Sequence, residues 1–290
     1  MREIIYPNKN TEPISLALGF FDCLHIGHKA VLDNAKQMAS DNVLTAVATF
    51  LGNPSSNSKL IYTYDERKVK LGKLGVDLVL GINFDDEFSS LTPDEFFDNI
   101  ISSYNIKAIT CGFDYRYGAN RAGNSDTLKA KCKAHNIPVT AVDEVTVSSK
   151  KVSSSLIKSL LSEGAIESVN VLLVSNYTVC GLVTKGNARG TQIGVPTANI
   201  ILPKDKHPIK AGVYGAYVHI DNKRYKAVTN AGTAPTFGQD HYIIETHIID
   251  FDENIYGKHL TVEFVKRLRD IKKFDSILEL VKQIKTDCKW

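Results

Sequence analysis

The sequence predicts two domains of different class: an α/β domain on a parallel sheet, then a small antiparallel β-barrel with one closing helix. Three observations carry the prediction. The chain has 290 residues, more than one ordinary domain needs and enough for two that each bury a core. Up to about Val174 strand-like and helix-like stretches alternate. Beyond it, strand-like stretches follow one another across short turns.

In the first half, Leu16 to Phe21 is a short apolar run. Gly27 to Ala39 follows, with Ala30, Val31, Asn34, Ala35 and Met38 on one mostly apolar helical stripe. Val43 to Phe50 reads as a strand, a charged helix begins near Asp65 and stops at Gly75, and Asp77 to Ile82 is strand-like again. Thr92-Pro93-Asp94-Glu95 combines a capping box with proline at the first helical position, which starts a helix through Tyr104. Lys107 to Cys111 and Ile137 to Val142 are further strands, separated by a helix around Leu128 to Ala134. This alternation implies a parallel sheet covered on both faces, with ligands at the carboxyl ends of its strands.

In the second half, Tyr177 to Val183, Gly212 to Ile220, Arg224 to Thr229, Ile243 to Ile249 and His259 to Val265 are strand-like. Asp221-Asn222 makes a tight hairpin turn, and Ser276 to Thr286 carries a helical stripe through Ile277, Leu280, Val281 and Ile284. The change lies near Val174 to Asn176, so the expected domains are 1–174 and 175–290.

Composition excludes several classes. With 43% hydrophobic and 23% charged residues the chain reads as a soluble globular protein. Its net charge of +3 is spread along the sequence, which suits phosphate-bearing small molecules and gives no nucleic-acid footprint. The cysteines Cys23, Cys111, Cys132, Cys180 and Cys288 form no CxxC pair, which argues against a structural zinc site or disulfide framework and for a reducing compartment. The opening MREIIYPNKNTEP is too polar for a signal peptide, and no apolar run reaches membrane-spanning length. A cytoplasmic protein is expected.

The densest motif in the first half runs from Leu18 to His28, LGFFDCLHIGH. His25 and His28 lie three apart and share one side of the first helical turn, flanked by Gly19 and Gly27. A helix N-terminus seats phosphate through its free N–H groups, and two imidazoles add donors for the charge that develops during transfer. A bare HxxH is otherwise a surface pair or a chance metal pair; the strand before this one and the helix after it favour function. An HxGH in this setting resembles the nucleotidyltransferase signature, in which an acceptor phosphate attacks the α-phosphorus of ATP.

Further on, Gly112 to Gly118 places Asp114 among aromatics, which suits ribose or flavin contacts or equally a loop packed on the core. Ser153-Ser154-Ser155-Leu-Ile-Lys158 opens a helix whose hydroxyls and lysine suit phosphates, although serine is also an ordinary cap. In the second half, Gly181, Gly186, Gly190 and Gly194 punctuate a loop that leads into Pro196-Thr197-Ala198-Asn199. The hydroxyl and amide of that tetrad are oxygen ligands suited to Mg²⁺ and phosphate.

Taken in order, GFFDCLHIGH, GFDYRYG and SSSLIK resemble the adenylyltransferase module of the bacterial bifunctional riboflavin kinase/FAD synthetase family, and the likeness continues over nearly the whole chain. The resemblance implies a Rossmann-like nucleotidyltransferase domain followed by a riboflavin-kinase barrel. It gives His25 and His28 the ATP phosphates, with Gly19, Phe20, Asp22, Gly27, Ser154, Ser155 and Lys158 around the nucleotide. Phe50, Pro54, Asp114, Tyr115, Tyr117 and Gly118 are then flavin contacts. P-T-A-N is similar to the flavokinase motif, which implies Mg²⁺ at Thr197 and Asn199, and ATP also at Gly186, Arg189 and Gly190. Glu245, in E-T-H-I-I-D, matches the family's catalytic base, and Asn230, Thr236, Phe237 and Arg269 match its flavin-side positions. The chain departs from the family pattern at Cys23 (glycine in the family), at Asn53 within its P-H-P turn, at Lys158 and Thr191 (both arginine), and at Ile271 (glutamate).

The implied activity is phosphorylation of riboflavin to FMN and adenylylation of FMN to FAD, with Mg²⁺ as cofactor and ATP as co-substrate of both steps. The expected partners are small molecules, with no nucleic acid and no membrane, and with room for a weak homo-oligomer. Two other readings stay open at this point: an FAD synthetase with a degenerate kinase domain, and a flavin-binding regulator without turnover.

Overall fold

The computed structural model describes residues 1–55, 58–185, 194–221, 223–236 and 239–290, with backbone alone at 234–236 and 239–240. The chain divides into two units, Met1–Ser154 and Ser155–Trp290.

In the first unit the elements run β1 (Arg2–Ile5), β2 (Asn10–Leu18), α1 (Ile26–Met38), β3 (Leu44–Phe50), α2 (Tyr64–Lys73), β4 (Leu78–Ile82), α3 (Asp86–Ser90) and α4 (Pro93–Ser103). There follow β5 (Tyr104–Gly112), β6 (Arg116–Tyr117), β7 (Gly123–Asn124), α5 (Ser125–Ala134), β8 (Val139–Val142), β9 (Thr146–Val147) and β10 (Lys150–Lys151). Six strands form one parallel sheet in the order β1-β4-β3-β2-β5-β8. The chain moves outward from β2 through β3 and β4, then returns to the other side of β2 as β5. The carboxyl ends of β2 and β5 therefore flank a topological switch point, where such sheets bind ligands.

The core explains the near-continuous apolar strands. Leu16, Leu18, Ala46, Leu78, Leu80 and Ile109 meet Phe96, Phe97 and Ile100 of α4 and Leu128 and Cys132 of α5. The capping box at α4 is present: Thr92 Oγ1 accepts from the Glu95 N–H at 3.2 Å, and Glu95 Oε2 accepts from the Thr92 N–H at 2.8 Å. Two differences from the sequence reading matter. Strand β2 stops at Leu18, so Phe20 and Phe21 belong to the loop that reaches α1. Strand β1 was not anticipated, because four residues of mixed exposure show no period; pairing with β4 from Arg2↔Leu78 onward defines it.

The second unit contains α6 (Ser154–Glu163, of which Ser154 closes the first unit), α7 (Ile166–Leu172), β11 (Thr178–Leu182), β12 (Ala198–Ile201), β13 (Gly212–Ile220), β14 (Lys223–Thr236), β15 (Gln239–Ile248), β16 (His259–Arg269) and α8 (Ile277–Asp287). The strands pair antiparallel in the order β11-β16-β13-β14-β15-β12. The two edges meet where the Thr184 N–H donates to the Asn199 carbonyl at 2.9 Å, which nearly closes a six-stranded barrel. In the hairpin between β13 and β14, Ile220 pairs with Lys223 and Asp221 has φ 48°, while Asn222 lies outside the described residues.

The sequence reading set the boundary at Val174, after α6 and α7, whereas the packing divides the chain before Ser155. Those helices attach to the barrel: the Lys210 N–H donates to the Leu161 carbonyl at 2.8 Å, and Asn170 bonds both the Phe264 carbonyl and the Tyr177 N–H. Strand β12 was read only as a motif, yet the alternation of buried Ala198 and Ile200 makes it a strand.

Gly181 serves the closure. A Cβ there would stand 2.3 Å from Ile200 Cγ2 across the seam between β11 and β12. Gly181→Ala should lower the unfolding free energy by about 1–3 kcal/mol through overpacking. Urea denaturation followed at Trp290 checks this; an unchanged midpoint would contradict it.

Helix α8 is pinned at its end, where Arg269 Nη2 and Nε bond Asp287 Oδ2 at 2.8 and 3.1 Å. The expected stripe along α8 is only half-covered at Leu280, Val281 and Ile284, and Ile277 is exposed. Among the described residues, no helix is long and apolar enough to cross a membrane.

Candidate active sites

The loop after β2 is held by groups the motif did not reveal. Arg67 of α2 is fully buried; its Nη1 donates to the Phe20 carbonyl at 3.1 Å and to Thr49 Oγ1 at 2.7 Å, and its Nη2 to the Phe50 carbonyl at 2.7 Å. Burial pulls its pKa down to about 10, opposed by the nearby Asp22 charge. Asp22 is itself buried, and its Oδ1 accepts from the Ile61 N–H at 3.0 Å. One oxygen of Asp22, the expected nucleotide contact, is thus bonded to the protein frame. Phe21 and Leu24 hold φ of 52° and 49°, a left-handed conformation that costs bulky residues about 1–3 kcal/mol each and is typical of sites where geometry is functionally imposed.

This loop delivers His25 as the N-cap of α1. Its Nδ1 accepts the His28 N–H at 3.0 Å. A neutral ring that accepts at Nδ1 must carry its proton on Nε2, so the cap fixes a donor facing away from the helix. The two imidazoles stack with centroids 3.7 Å apart and an 11° interplanar angle, and Phe21 lies against His28 at 5.2 Å. Gly27 leaves this room: a Cβ there would press on the His25 ring at 3.1 Å. Nδ1 of His28 is buried without a protein hydrogen bond among the described residues. An unmet polar atom of this kind costs about 1–3 kcal/mol and marks a place for a ligand atom.

Both rings are neutral. Burial pushes His25 down to about 4, opposed in part by a backbone hydrogen bond and the Asp114 charge and slightly reinforced by Lys151, and burial with the His25 neighbour pushes His28 well down. The folded His25 binds fewer protons than the unfolded one, whose pKa is near 6.5. Unfolding free energy therefore falls as pH drops from about 6.5 toward about 4, on the order of 3 kcal/mol from this group. Chemical denaturation across that window should show the loss in wild type and less of it in His25→Gln. Equal slopes would contradict the neutral cap.

Around this seat, Phe20 and Phe50 lie 5.9 Å apart, and Phe84 joins Phe50 at 4.9 Å. Gly19 directly follows β2, and Pro54 sits in the turn after β3, where Asn53 Oδ1 accepts from the Ser55 N–H. Asp114 is exposed and paired with Lys151 at 2.7 Å, and the Lys151 ammonium lies 4.4 Å over the Phe113 ring. Lys151 was missed because a Lys-Lys pair in a short hairpin looks like solvated charge. Tyr115 stacks on Tyr117 at 5.8 Å, and Tyr117 is buried against Phe96 with its hydroxyl beside that of Thr127, which braces the loop. Gly118, at φ 72°, backs onto Pro93. Ser154 Oγ lies 3.3 Å from Cys23 Sγ, and Ser155 and Lys158 follow on α6.

In the barrel a second polar row crosses three strands. Asn199 of β12 stands opposite Glu245 of β15, and Glu245 opposite Asn230 of β14. Opposed residues share a face. The flanking rows, Ala198–Thr246–Thr229 and Ile200–Ile244–Ala231, are buried and point the other way. Thr197 Oγ1 donates to Glu245 Oε1 at 2.8 Å, and a His247 ring nitrogen meets the Pro196 carbonyl at 2.9 Å. The hydroxyl proton spent on Glu245 leaves the Thr197 oxygen lone pairs for a cation. Arg269, expected beside flavin, bonds Asp287 through Nε and Nη2. Gly186, Arg189, Gly190, Thr191 and Phe237 lie outside the described residues, as does the side chain of Thr236. Gly194, with φ 75°, stands two residues before the tetrad.

Comparison with known proteins matches both halves. Residues 7–156 fit the family model described as FAD synthetase, and residues 173–290 the one described as riboflavin kinase. Two relatives named bifunctional riboflavin kinase/FMN adenylyltransferase are similar along their length. The Bacillus subtilis protein is 35% identical over 94% of this chain and 89% of its own. That of Listeria monocytogenes is 36% identical with the same coverage. A solved structure from Streptococcus pneumoniae, described as a macrolide-efflux protein, superposes with a TM-score of 0.88 at 32% identity over 99% of this chain and 97% of that one. The chain belongs to the bifunctional riboflavin kinase/FMN adenylyltransferase family.

Proposed function

We propose that residues 1–174 adenylylate FMN and residues 175–290 phosphorylate riboflavin, each with its own ATP, in the cytoplasm. The observation that carries the first half is the neutral imidazole pair at the start of α1, with Nε2–H of His25 fixed as a donor. In this reading His25, His28 and the free N–H groups of α1 hold the triphosphate. The FMN phosphate attacks the α-phosphorus in line, and pyrophosphate leaves. No protein nucleophile is needed, because positioning and charge stabilisation supply the rate.

In the barrel, Glu245 accepts the proton of the riboflavin 5′-hydroxyl as that oxygen takes the γ-phosphoryl group. Thr197 and Asn199 would hold Mg²⁺, since hydroxyl, amide and neighbouring carboxylate form the hard oxygen set this ion prefers. When bound, the ion neutralises charge building on the phosphates. The Thr197–Glu245 hydrogen bond keeps the carboxylate aimed at the face where the hydroxyl arrives.

Incubation with riboflavin, ATP and Mg²⁺, with products separated by chromatography, tests the reading. Accumulation of FAD supports both activities. FAD from supplied FMN but none from riboflavin leaves a synthetase with a silent kinase domain, and flavin binding without any product leaves the regulator.

A further inference from the structure

We propose that Cys23, His25 and His28 form a binding site for a soft divalent cation, Zn²⁺ foremost, and that its occupancy stops adenylyl transfer while riboflavin phosphorylation continues. One donor atom from each of the three residues lies within 4.8 Å of the others. Tetrahedral zinc, with bonds of about 2.0–2.3 Å, sets its donors about 3.3–3.8 Å apart, so on binding the donors close by about 1 Å and the stacked rings turn until their in-plane lone pairs meet at the ion.

Three features make this more than a histidine pair. The thiol of Cys23 is buried in the loop, and Ser154 Oγ at 3.3 Å can donate to its thiolate form. His28 Nδ1 is buried with no protein partner among the described residues. Each imidazole brings a ring nitrogen into the cluster, a donor type that suits Zn²⁺. Cys-x-His-x-x-His carries no CxxC pair, which is why cysteine spacing alone did not point to it. Sulfur and nitrogen donors favour Zn²⁺ over Mg²⁺, so the site does not compete for the ion that serves ATP.

Occupancy has a definite cost. Nδ1 of His25 now accepts the His28 N–H. Coordination through Nε2 moves that ring's proton to Nδ1 and breaks the cap, which lowers affinity about fivefold. The thiol proton is released to solvent, and three protein donors leave a fourth position for water. The result is an exchangeable site rather than a permanent one.

The inhibitory half rests on the reading that these imidazoles hold the triphosphate; the metal-binding half does not. Titration of Co²⁺ alone into the full-length protein without ATP tests the site directly. A thiolate-to-cobalt charge-transfer band saturating at a single equivalent is expected, displaced by Zn²⁺ and absent in Cys23→Ser and Cys23→Gly. No such band in wild type, or the same band in both variants, overturns the site, and the wild-type arm needs no variant to fold. With free Zn²⁺ at about ten times its apparent Kd in the presence of the assay's ATP, FAD formation from FMN should fall about tenfold and return on chelation. Phosphorylation of riboflavin under the same conditions should be unchanged, and Zn²⁺ should not slow either variant relative to its own metal-free rate. A cysteine-dependent band with undiminished FAD formation would support the site and overturn the assignment of the imidazoles to the triphosphate.

Discussion

His28→Ala lowers FAD formation from FMN by about 10²–10³-fold, the usual cost of losing one preorganised donor to developing charge. The ring sits between His25 at 3.7 Å and Phe21 at 5.2 Å, so its removal also frees the His25 ring to leave its capping geometry. Phosphorylation of riboflavin stays near its starting rate, because the polar row at Glu245 belongs to the other unit. Initial rates with each flavin as sole substrate measure both effects. Loss of both activities in folded protein would contradict the assignment of one activity to each unit.

Glu245→Ala does the reverse. Removal of a positioned general base costs about 10²–10⁴-fold, and here it also strands the Thr197 hydroxyl that donates to Oε1 at 2.8 Å. FMN formation collapses, while FAD formation from supplied FMN persists. Glu245→Gln separates the two contributions: it keeps an oxygen for Thr197 and cannot take a proton. If Gln restored phosphorylation, Glu245 would be a positioning residue and the base would lie elsewhere.

Much of the fold was legible because its signals are local. Thr92 and Glu95 announced their helix, and the apolar runs of β3 and β4 lie within a residue of where the pattern put them. The elements that escaped depend on distant partners. Strand β1 exists through β4, β12 through β15, and α7 through the barrel. In the first site, the histidines could be read from spacing because a helical turn itself brings them together. The protein partners of Asp22 and Tyr117 could not be read from the motifs, since they are Ile61 and Phe96, distant in sequence. Arg67 reads as one more charge on a polar helix, yet it is buried and ties Phe20 to the end of β3. Arg269 shows the converse: a motif position whose charge is used to hold α8.

The seat at the start of α1 is most directly tested by a crystal structure with a non-hydrolysable ATP analogue. The account predicts phosphate oxygens within hydrogen-bond distance of His25 Nε2 and of the His28 ring, with the His28 N–H still on His25 Nδ1. A triphosphate bound elsewhere in the first unit, with both rings as in the free protein, would contradict it.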